Sequence, residues 1–198
     1  MELLDVEKNK YNENLFPYLD LVSNSDMGTI YIKTKPDTRA KNVCSLFFKL
    51  YEYPSSETNI YIQDIQSHGT LNRGFATAAM RALIKLGIKK GATIISGIIS
   101  PVDHDHIDRL LGFYKKANCK FHFSDGASYP SGFSIPLTDK ELIFLKLEQQ
   151  AYKDKVYFLE KELENKKIYL NHIKKIAMEY ETEIKNESRL IKFLKKLL

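Results

Sequence analysis

The sequence predicts an α/β protein, a mixed α+β sheet domain that is followed by one long C-terminal helix. Between Gly28 and Leu137, short runs rich in β-branched and aromatic residues alternate with two helical patterns, as they do in domains that pack helices on a sheet. From Thr138 to Leu198 the chain contains neither proline nor glycine, so no residue of these types interrupts a helix there. We therefore expect two domains, residues 1–137 and residues 138–198.

Composition excludes several classes of protein. The 198 residues are 43% hydrophobic and 28% charged, as in globular domains, and no run approaches the roughly 18 apolar residues of a membrane-spanning helix. The acidic segment from Met1 to Asp20 does not resemble a secretory signal. Cys44 and Cys119 form no CxxC pair, which argues against a disulfide framework or a zinc site. The net charge of +5 is modest, so we expect a soluble cytoplasmic protein without a membrane or nucleic-acid partner.

Three runs rich in Ile, Tyr and Phe predict the first strands. They are Thr29 to Lys33, Ser45 to Tyr53 and Asn59 to Gln66. Only turn-like segments separate them, and Pro36 and Pro54 punctuate those segments because proline removes a ladder donor. We expect three neighbouring antiparallel strands.

The next segments predict a helix that packs on the sheet and a central strand. From Arg73 to Lys90, apolar residues recur at helical spacing, and Gly91 ends the pattern. Thr93 to Ile99 is a nearly continuous apolar run, which is typical of a strand that is covered on both faces.

A second helix and a last pair of strands complete the predicted domain. Asp105 is placed to cap a helix that runs through Ala117 with one apolar stripe. Phe121 to Ser124 and Ser131 to Leu137 are then expected to close the sheet as two strands.

The C-terminal segment has a heptad pattern. With Leu142 at position a, 14 of the 17 a and d sites are apolar, where random placement would give about seven, so a 3.5-residue period is indicated. A helix of about 57 residues spans roughly 85 Å, too far for a small domain to cover. We expect a coiled-coil homodimer; the alternative is a helix that folds back as a hairpin near Glu164 to Lys167. The heptad seam denotes the apolar a and d residues Leu142, Leu145, Tyr152, Val156, Leu159, Leu163, Leu170, Ile173, Ala177, Tyr180, Ile184, Ile191, Leu194 and Leu198.

The start of the first predicted helix is a candidate anion site. A loop that opens a helix exposes successive backbone N–H groups at the positive end of the helix dipole. Gly74 lets the backbone approach a phosphate, Thr77 offers a hydroxyl, and Arg73 adds a charge. Short glycine-containing helix starts also occur merely as structural turns. The predicted cradle comprises Asn72, Arg73, Gly74, Phe75, Ala76 and Thr77.

Two motifs resemble those of the GCN5-related N-acetyltransferase (GNAT) family. Leu71-Asn72-Arg73-Gly74-Phe75-Ala76 is similar to the acyl-CoA pyrophosphate loop Arg/Gln-x-x-Gly-x-Gly/Ala, with Leu71 at its first position. About forty residues later, Phe113-Tyr114-Lys115-Lys116-Ala117-Asn118-Cys119 is similar to the family's Phe-Tyr-x-Lys-x-Gly-Phe, with Asn118 and Cys119 in place of Gly and Phe.

This resemblance implies a splayed mixed sheet with acyl-CoA between two parallel strands, here Asn59 to Gln66 and Thr93 to Ser100. It implies that backbone groups of Ile65, Gln66 and Ser67 hold the pantetheine arm and polarise the thioester carbonyl. The implied activity is transfer of an acetyl group from acetyl-CoA to a primary amine by direct attack. The acceptor, a small molecule or a protein, is not identified by the sequence.

The resemblance also suggests the groups that move protons. Tyr114 matches the tyrosine that protonates the departing CoA thiolate, although its ring could simply pack on the helix stripe. Asp64, or His68 beside the loop, could take a proton from the amine directly or through water. Asp64 could equally be an ordinary solvent-facing strand residue.

A metal site and the shape of the acceptor groove are the remaining questions about an active enzyme, and an inactive protein is the alternative to it. Asp103-His104-Asp105-His106 could offer metal ligands, but capping explains the acidic helix start and we predict no metal. In the family a strand and two helices precede the first clear strand found here, and only Leu15 to Leu19 corresponds to them. An open acceptor groove, or one completed by a partner subunit, is therefore expected. The second alternative is a catalytically degenerate head of a coiled-coil scaffold, which Leu71 and the absence of a strand glutamate favour.

Overall fold

Nine strands and three helices form the part of the chain that the computed structural model describes, which is residues 1–23, 25–52, 58–68, 73–100 and 106–197. The chain divides into two units, Met1–Lys155 and Val156–Leu198. None of the helices within the described ranges is long and apolar enough to cross a bilayer.

In chain order the elements are β1 (Glu2–Leu3), β2 (Glu7–Lys8), β3 (Asn14–Leu21), β4 (Met27–Lys33), β5 (Asn42–Glu52), β6 (Thr58–Ser67), α1 (Phe75–Lys90), β7 (Ala92–Ile98), α2 (Ile107–Lys116), β8 (Lys120–His122), β9 (Gly132–Pro136) and α3 (Lys140–Leu197).

The strands form one mixed sheet in the order β1-β3-β4-β5-β6-β7-β9-β8, and β2 pairs separately with β3. Pairing is antiparallel between β4 and β5 and between β5 and β6, and β8 pairs antiparallel with β9. Only β6 and β7 pair in parallel in the described sheet, because α1 carries the chain back across it between them. These pairings confirm the predicted mixed sheet.

The N-terminal region differs from the sequence prediction. A full strand, β3, pairs with β4 from Phe16↔Lys33 to Leu21↔Gly28, so the prediction of no clear strand before Thr29 is wrong. The strand contains Pro17, which has no N–H to donate. The Pro17 oxygen accepts a hydrogen bond from the Leu4 N–H, just after β1, at 2.9 Å. The N–H and C=O of one strand residue point the same way, so the N–H that Pro17 lacks would face the short β1 and not β4.

Helix α1 covers one face of the sheet. Ala78, Ala79 and Leu83 on its inner face are fully buried, which accounts for the apolar period in the sequence. Gly87 permits a close approach, since a Cβ at that position would lie 2.8 Å from Leu137 Cδ1. The helix ends at Gly91, whose φ of 73° is left-handed.

Helix α3 runs from Lys140 to Leu197 as a single element. The predicted long helix is thus confirmed, and the hairpin alternative near Glu164 to Lys167 is wrong. Near its start, Ile143 and Leu147 are 8% and 9% exposed, whereas Leu145 and Tyr152 of the heptad seam are 64% and 70% exposed. The helix therefore has two different apolar stripes. The stripe with Ile143 and Leu147 packs into the first unit, and the heptad seam is exposed.

The second unit consists of the remainder of α3. Among its described side chains none is buried, and intrahelical ion pairs such as Lys166–Glu162 at 3.0 Å decorate its surface. Such exposed pairs stabilise a helix by only a few tenths of a kcal/mol, about 0.3–0.5 each. The apolar side chains of the unit are therefore left in contact with solvent.

Candidate active site

The site begins where the two parallel strands separate. β6 and β7 pair from Asn59↔Ile94 to Ile62↔Gly97, and β6 then continues to Ser67 without β7. At this point Phe47 pairs with Asp64 and Phe48 with Ile62, which leaves Gln63 as an extra residue. Such a bulge bends the strand and increases its twist. From Gln63 onward β6 is therefore not paired with β7, and the ends of both strands border one opening.

The start of α1 supplies backbone donors beside this opening. Gly74 precedes the helix with φ of 80°, no side chain caps the first turn, and that turn holds no acidic residue. Such a φ is left-handed, and glycine adopts it without the cost of a Cβ. The first N–H groups of a helix have no partner within the helix, and the dipole makes them a favourable place for an anion.

One cavity of about 680 Å³ joins the opening to the helix start. Its wall is built from the loop between β2 and β3, the end of β6, the start of α1, the end of β7, helix α2 and one residue of α3, Asp154. This volume lies within the range of small-ligand sites, about 300–1,000 Å³. The wall includes most of the residues that the sequence singled out, namely Asp64, Ile65, Ser67, Arg73, Gly74, Phe75, Ala76, Thr77 and Tyr114.

The other predicted site residues are placed elsewhere. Gln66 is not in the cavity wall; its amide donates to Asp64 Oδ2 at 2.7 Å. His68 is also outside the wall, and its Nε2 lies 3.0 Å from Ser45 Oγ on β5. Asn72 and Leu71 lie outside the described residues.

The candidate metal cluster at the start of α2 is only partly covered by the described residues. Asp103, His104 and Asp105 of the candidate cluster lie outside the described ranges. Within those ranges no group of His, Cys, Asp and Glu side chains is arranged to hold a metal ion.

Asp64 lies in the cavity wall, but both of its oxygens already accept hydrogen bonds. Oδ1 accepts the N–H of Ile65 at 2.7 Å, and Oδ2 accepts the Gln66 amide. The Ile65 N–H is thus engaged locally and does not point a free donor at a thioester. The Ser67 N–H is better placed: His68 N–H donates to Val43 O on β5, and alternation turns the preceding N–H towards the opening.

Tyr114 is packed and faces the cavity at the same time. Tyr114 is 6% exposed, and its ring stacks on Phe133 with the ring centroids 3.9 Å apart. The aromatic contacts hold the ring in place, and Tyr114 is one of the residues of the cavity wall. The two interpretations of Tyr114 from the sequence, packing and proton donation, are therefore compatible. Asn118, at the position of the family's glycine, has φ of 60°, a left-handed value that asparagine tolerates.

Arg73 is held by an acidic residue that the sequence analysis did not single out. Its Nη2 donates to Glu13 Oε2 at 2.6 Å, while its Nε is buried with no hydrogen-bond partner. Hydrogen bonds from Arg73 and Asn9 lower the pKa of Glu13 below its ordinary value of 4.5. A buried N–H without an acceptor is costly, and an anion in the cradle would satisfy it.

The cavity also contains basic residues that the sequence analysis missed. Lys10, Arg81, Arg109 and Lys116 join Arg73 in the wall, against the carboxylates of Asp64 and Asp154. Arg109 and Lys116 are seven residues apart on α2, so helical spacing could have indicated that they share a face. Lys10 gave no local signal, because it reaches the wall only through the pairing of β2 with β3.

Comparison with known proteins gives the fold. No protein-family model matches the sequence, and neither does any curated protein. Among solved structures, the GNAT domain of PAT from S. lividans is 6% identical, with 67% of this chain and 96% of that chain covered and a TM-score of 0.50. NAA60 from Arabidopsis thaliana, solved with acetyl-CoA, is 15% identical over 59% of this chain and 79% of that chain, with a TM-score of 0.44. A cAMP-binding acyltransferase from Mycobacterium smegmatis is 9% identical over 77% of this chain and 55% of that chain, with a TM-score of 0.46. The match to the PAT domain shows that the chain has the GNAT fold that its motifs predicted, extended by a long C-terminal helix.

Proposed function

We propose that this protein is an acyl-CoA-dependent N-acyltransferase that transfers an acetyl group from acetyl-CoA to a primary amine. One observation carries the proposal: the uncapped start of α1 and the opening between β6 and β7 lead into the same cavity. A diphosphate and a thioester on one extended ligand require these two features side by side.

The residues of the cavity suit acyl-CoA as the donor substrate. The first-turn N–H groups of α1 and the buried Nε of Arg73 would receive the diphosphate. The five basic residues against two acidic ones in the described wall, namely Lys10, Arg73, Arg81, Arg109 and Lys116 against Asp64 and Asp154, suit an anionic ligand. The edge of β6 at Ile65 and Ser67 would lie along the pantetheine arm.

The proposed reaction is direct attack. The amine nitrogen forms a bond to the thioester carbonyl carbon, the C–S bond breaks, and the thiolate takes a proton from the Tyr114 phenol. The amine proton goes to water or to Asp64, whose carboxylate retains unused lone pairs. The Ser67 N–H would stabilise the developing oxyanion, and positioning would supply much of the rate.

Calorimetry and thermal melting with acetyl-CoA test the donor assignment. We expect measurable heat and a rise in Tm, because a ligand of the native state raises apparent stability. Absence of both at millimolar acetyl-CoA would overturn the proposal. Arg73→Ala should weaken affinity about tenfold, while Arg39→Ala, an exposed arginine outside the cavity wall, should not.

A second candidate function is a catalytically inactive head on a coiled-coil scaffold. The observation that favours it is the Ile65 N–H, which bonds to Asp64 Oδ1 instead of remaining free for a thioester. This function predicts binding of acetyl-CoA without turnover on any amine. Acetyl transfer to a panel of small amines and peptide amines, followed by release of free CoA thiol, would contradict it.

We also propose that the chain forms a homodimer through the heptad seam. Its described large members are exposed along the helix, from Leu142 at 43% to Ile191 at 53%. Residues Ile143 and Leu147, which pack into the first unit, are not part of the seam. A second copy of the same helix would bury the seam by knobs-into-holes packing.

A further inference from the structure

We infer that the loop between β2 and β3, Asn9 to Glu13, forms a second wall of the diphosphate site and supplies Lys10 as a phosphate-binding residue. This inference rests on the proposed function and adds a residue far from both sequence motifs. It concerns how the donor is held, not the acyl transfer itself.

Both ends of the loop are tied to α1. Before the loop, Glu7 is 5% exposed and accepts from Arg81 Nε at 2.8 Å and from Lys85 Nζ at 2.6 Å. At its end, Glu13 bonds to Arg73 just before the helix. A buried carboxylate with two cationic partners is strongly held, so the loop is fixed against the start of α1.

The loop is also ordered internally. Asn9 is 7% exposed, and its Oδ1 accepts the N–H groups of Tyr11 at 2.9 Å and Glu13 at 3.0 Å. The Asn9 N–H in turn donates to Glu13 O at 3.1 Å. A side chain that replaces turn hydrogen bonds in this way stabilises one loop conformation, so Lys10 is presented from a defined backbone.

Lys10 lies directly beside the helix start. A Cβ placed on Gly74 would be 3.6 Å from the Lys10 backbone nitrogen, and Lys10 lines the same cavity as Gly74. Its Nζ is 5.1 Å from the centre of the Tyr11 ring. A cation–π contact of this kind leaves the positive charge in place.

The charge of Lys10 is not compensated by a carboxylate in the described structure. In contrast, Arg73 pairs with Glu13, Arg81 with Glu7, and Lys116 with Asp154 at 3.8 Å. A helix start offers only about half a unit charge, and the Arg73 guanidinium is already balanced by Glu13. Arg109 on α2 also lacks a carboxylate partner in the described structure, but the Lys10 backbone is the one that lies beside Gly74. Lys10 therefore brings an uncompensated positive charge next to the backbone cradle.

The test is calorimetric titration of the full-length protein with three ligands: CoA, dephospho-CoA and S-acetylpantetheine. For Lys10→Ala we expect affinity for CoA and dephospho-CoA to fall about tenfold, with no change for S-acetylpantetheine, which has no diphosphate. Lys10→Arg should retain affinity within about threefold, because it keeps the charge. Lys8→Ala removes the same charge two residues away, outside the cavity wall, and should bind all three ligands as the wild type does.

Several results would overturn the inference. CoA affinity that is unchanged in Lys10→Ala but reduced in Arg73→Ala would overturn it and leave the proposed function standing. A loss confined to CoA would assign Lys10 to the 3′-phosphate instead of the diphosphate. An equal loss in Lys8→Ala would show a general charge effect. No binding of CoA or dephospho-CoA by the wild type would overturn both the inference and the proposed function. A Tm of Lys10→Ala equal to that of the wild type shows that the loop still folds.

Discussion

Both units of the chain contain periodic apolar sequence, but among the described residues only the first unit buries such side chains. In Met1–Lys155, side chains such as Leu46, Ile60 and Ile95 are fully buried. In Val156–Leu198, Leu163 and Ile184 are 55% and 62% exposed. Periodicity thus reveals that a face is apolar, but only the fold reveals whether the same chain covers it. The first unit covers the apolar faces of its sheet and of α1, whereas the heptad seam is exposed in both units.

The largest expected effect breaks the proposed dimer. Leu163→Glu combined with Leu170→Glu places two charges per chain in the heptad seam. Each buried leucine contributes about 1.5–3 kcal/mol, so the dimer Kd should rise by at least about a thousandfold. Sedimentation velocity measures the shift from dimer to monomer.

A matched control keeps the same change in charge outside the seam. Tyr157 and Ile168 are 59% and 63% exposed and lie at heptad positions b and f. The double variant Tyr157→Glu, Ile168→Glu should remain a dimer. A wild-type chain that sediments as a monomer at micromolar concentration would refute the dimer outright.

The next largest effect is a loss of stability that depends on whether the substituted leucine is buried. Leu83 is fully buried on α1, so Leu83→Ala should lower the free energy of unfolding of the first unit by about 2–5 kcal/mol. The same change at Leu163 should leave the unfolding of that unit unchanged at concentrations where the chain is monomeric. Urea unfolding followed by near-ultraviolet circular dichroism compares the two. Equal losses would mean that the units do not unfold independently.

A smaller effect assigns the chemistry to the first unit. Tyr114→Phe removes one hydroxyl from a ring held by Phe133, so kcat should fall about a hundredfold while acetyl-CoA affinity is retained. A proton donor acts in the transition state and contributes little to ground-state binding, so the proposed role of Tyr114 predicts this split. Steady-state kinetics with a reactive amine checks this, and an unchanged kcat would reduce Tyr114 to a packing residue.

The smallest effect concerns acid stability. Because the pKa of Glu13 is lowered in the folded state, its contribution is present above the ordinary value of 4.5 and is lost as pH falls through the folded-state pKa. The pair with Arg73 is partly exposed, so the contribution should be below about 1 kcal/mol. In urea unfolding, Glu13→Gln should be less stable than wild type at pH 7, with the gap closing in acid. A gap that is independent of pH would show that the charge of Glu13 is not involved.

Much of the fold could be predicted because its signals are local. Glycine and proline positions together with the 3.6-residue and 3.5-residue periods indicated α1 and α3, and an apolar run indicated β7. The strand β3 was missed because Pro17 argues against a strand unless its vacant N–H position is known to face the short β1. That knowledge depends on pairing between distant segments.

The residues of the candidate site also fall into two groups, those that a local motif predicted and those that only the fold brings together. The α1 start was visible as a contiguous motif around Gly74, and most of its residues do line the cavity. Lys10 and Glu13 were not visible, because they reach α1 across some sixty residues of chain. The capture of the Ile65 N–H by Asp64 was also not visible, since it depends on a side-chain rotamer at the end of β6.

The extra residue of β6 has one further consequence. Removing Gln63 would still leave Ile62 opposite Phe48 and Asp64 opposite Phe47, which are the partners that they have now. A deletion there would preserve the identity of every inward and outward side chain, yet it would straighten the strand and let it run on beside β7. If the proposed function is correct, such a shortened protein should fold but lose binding of acetyl-CoA, so a single residue would separate the architecture of this domain from its proposed activity.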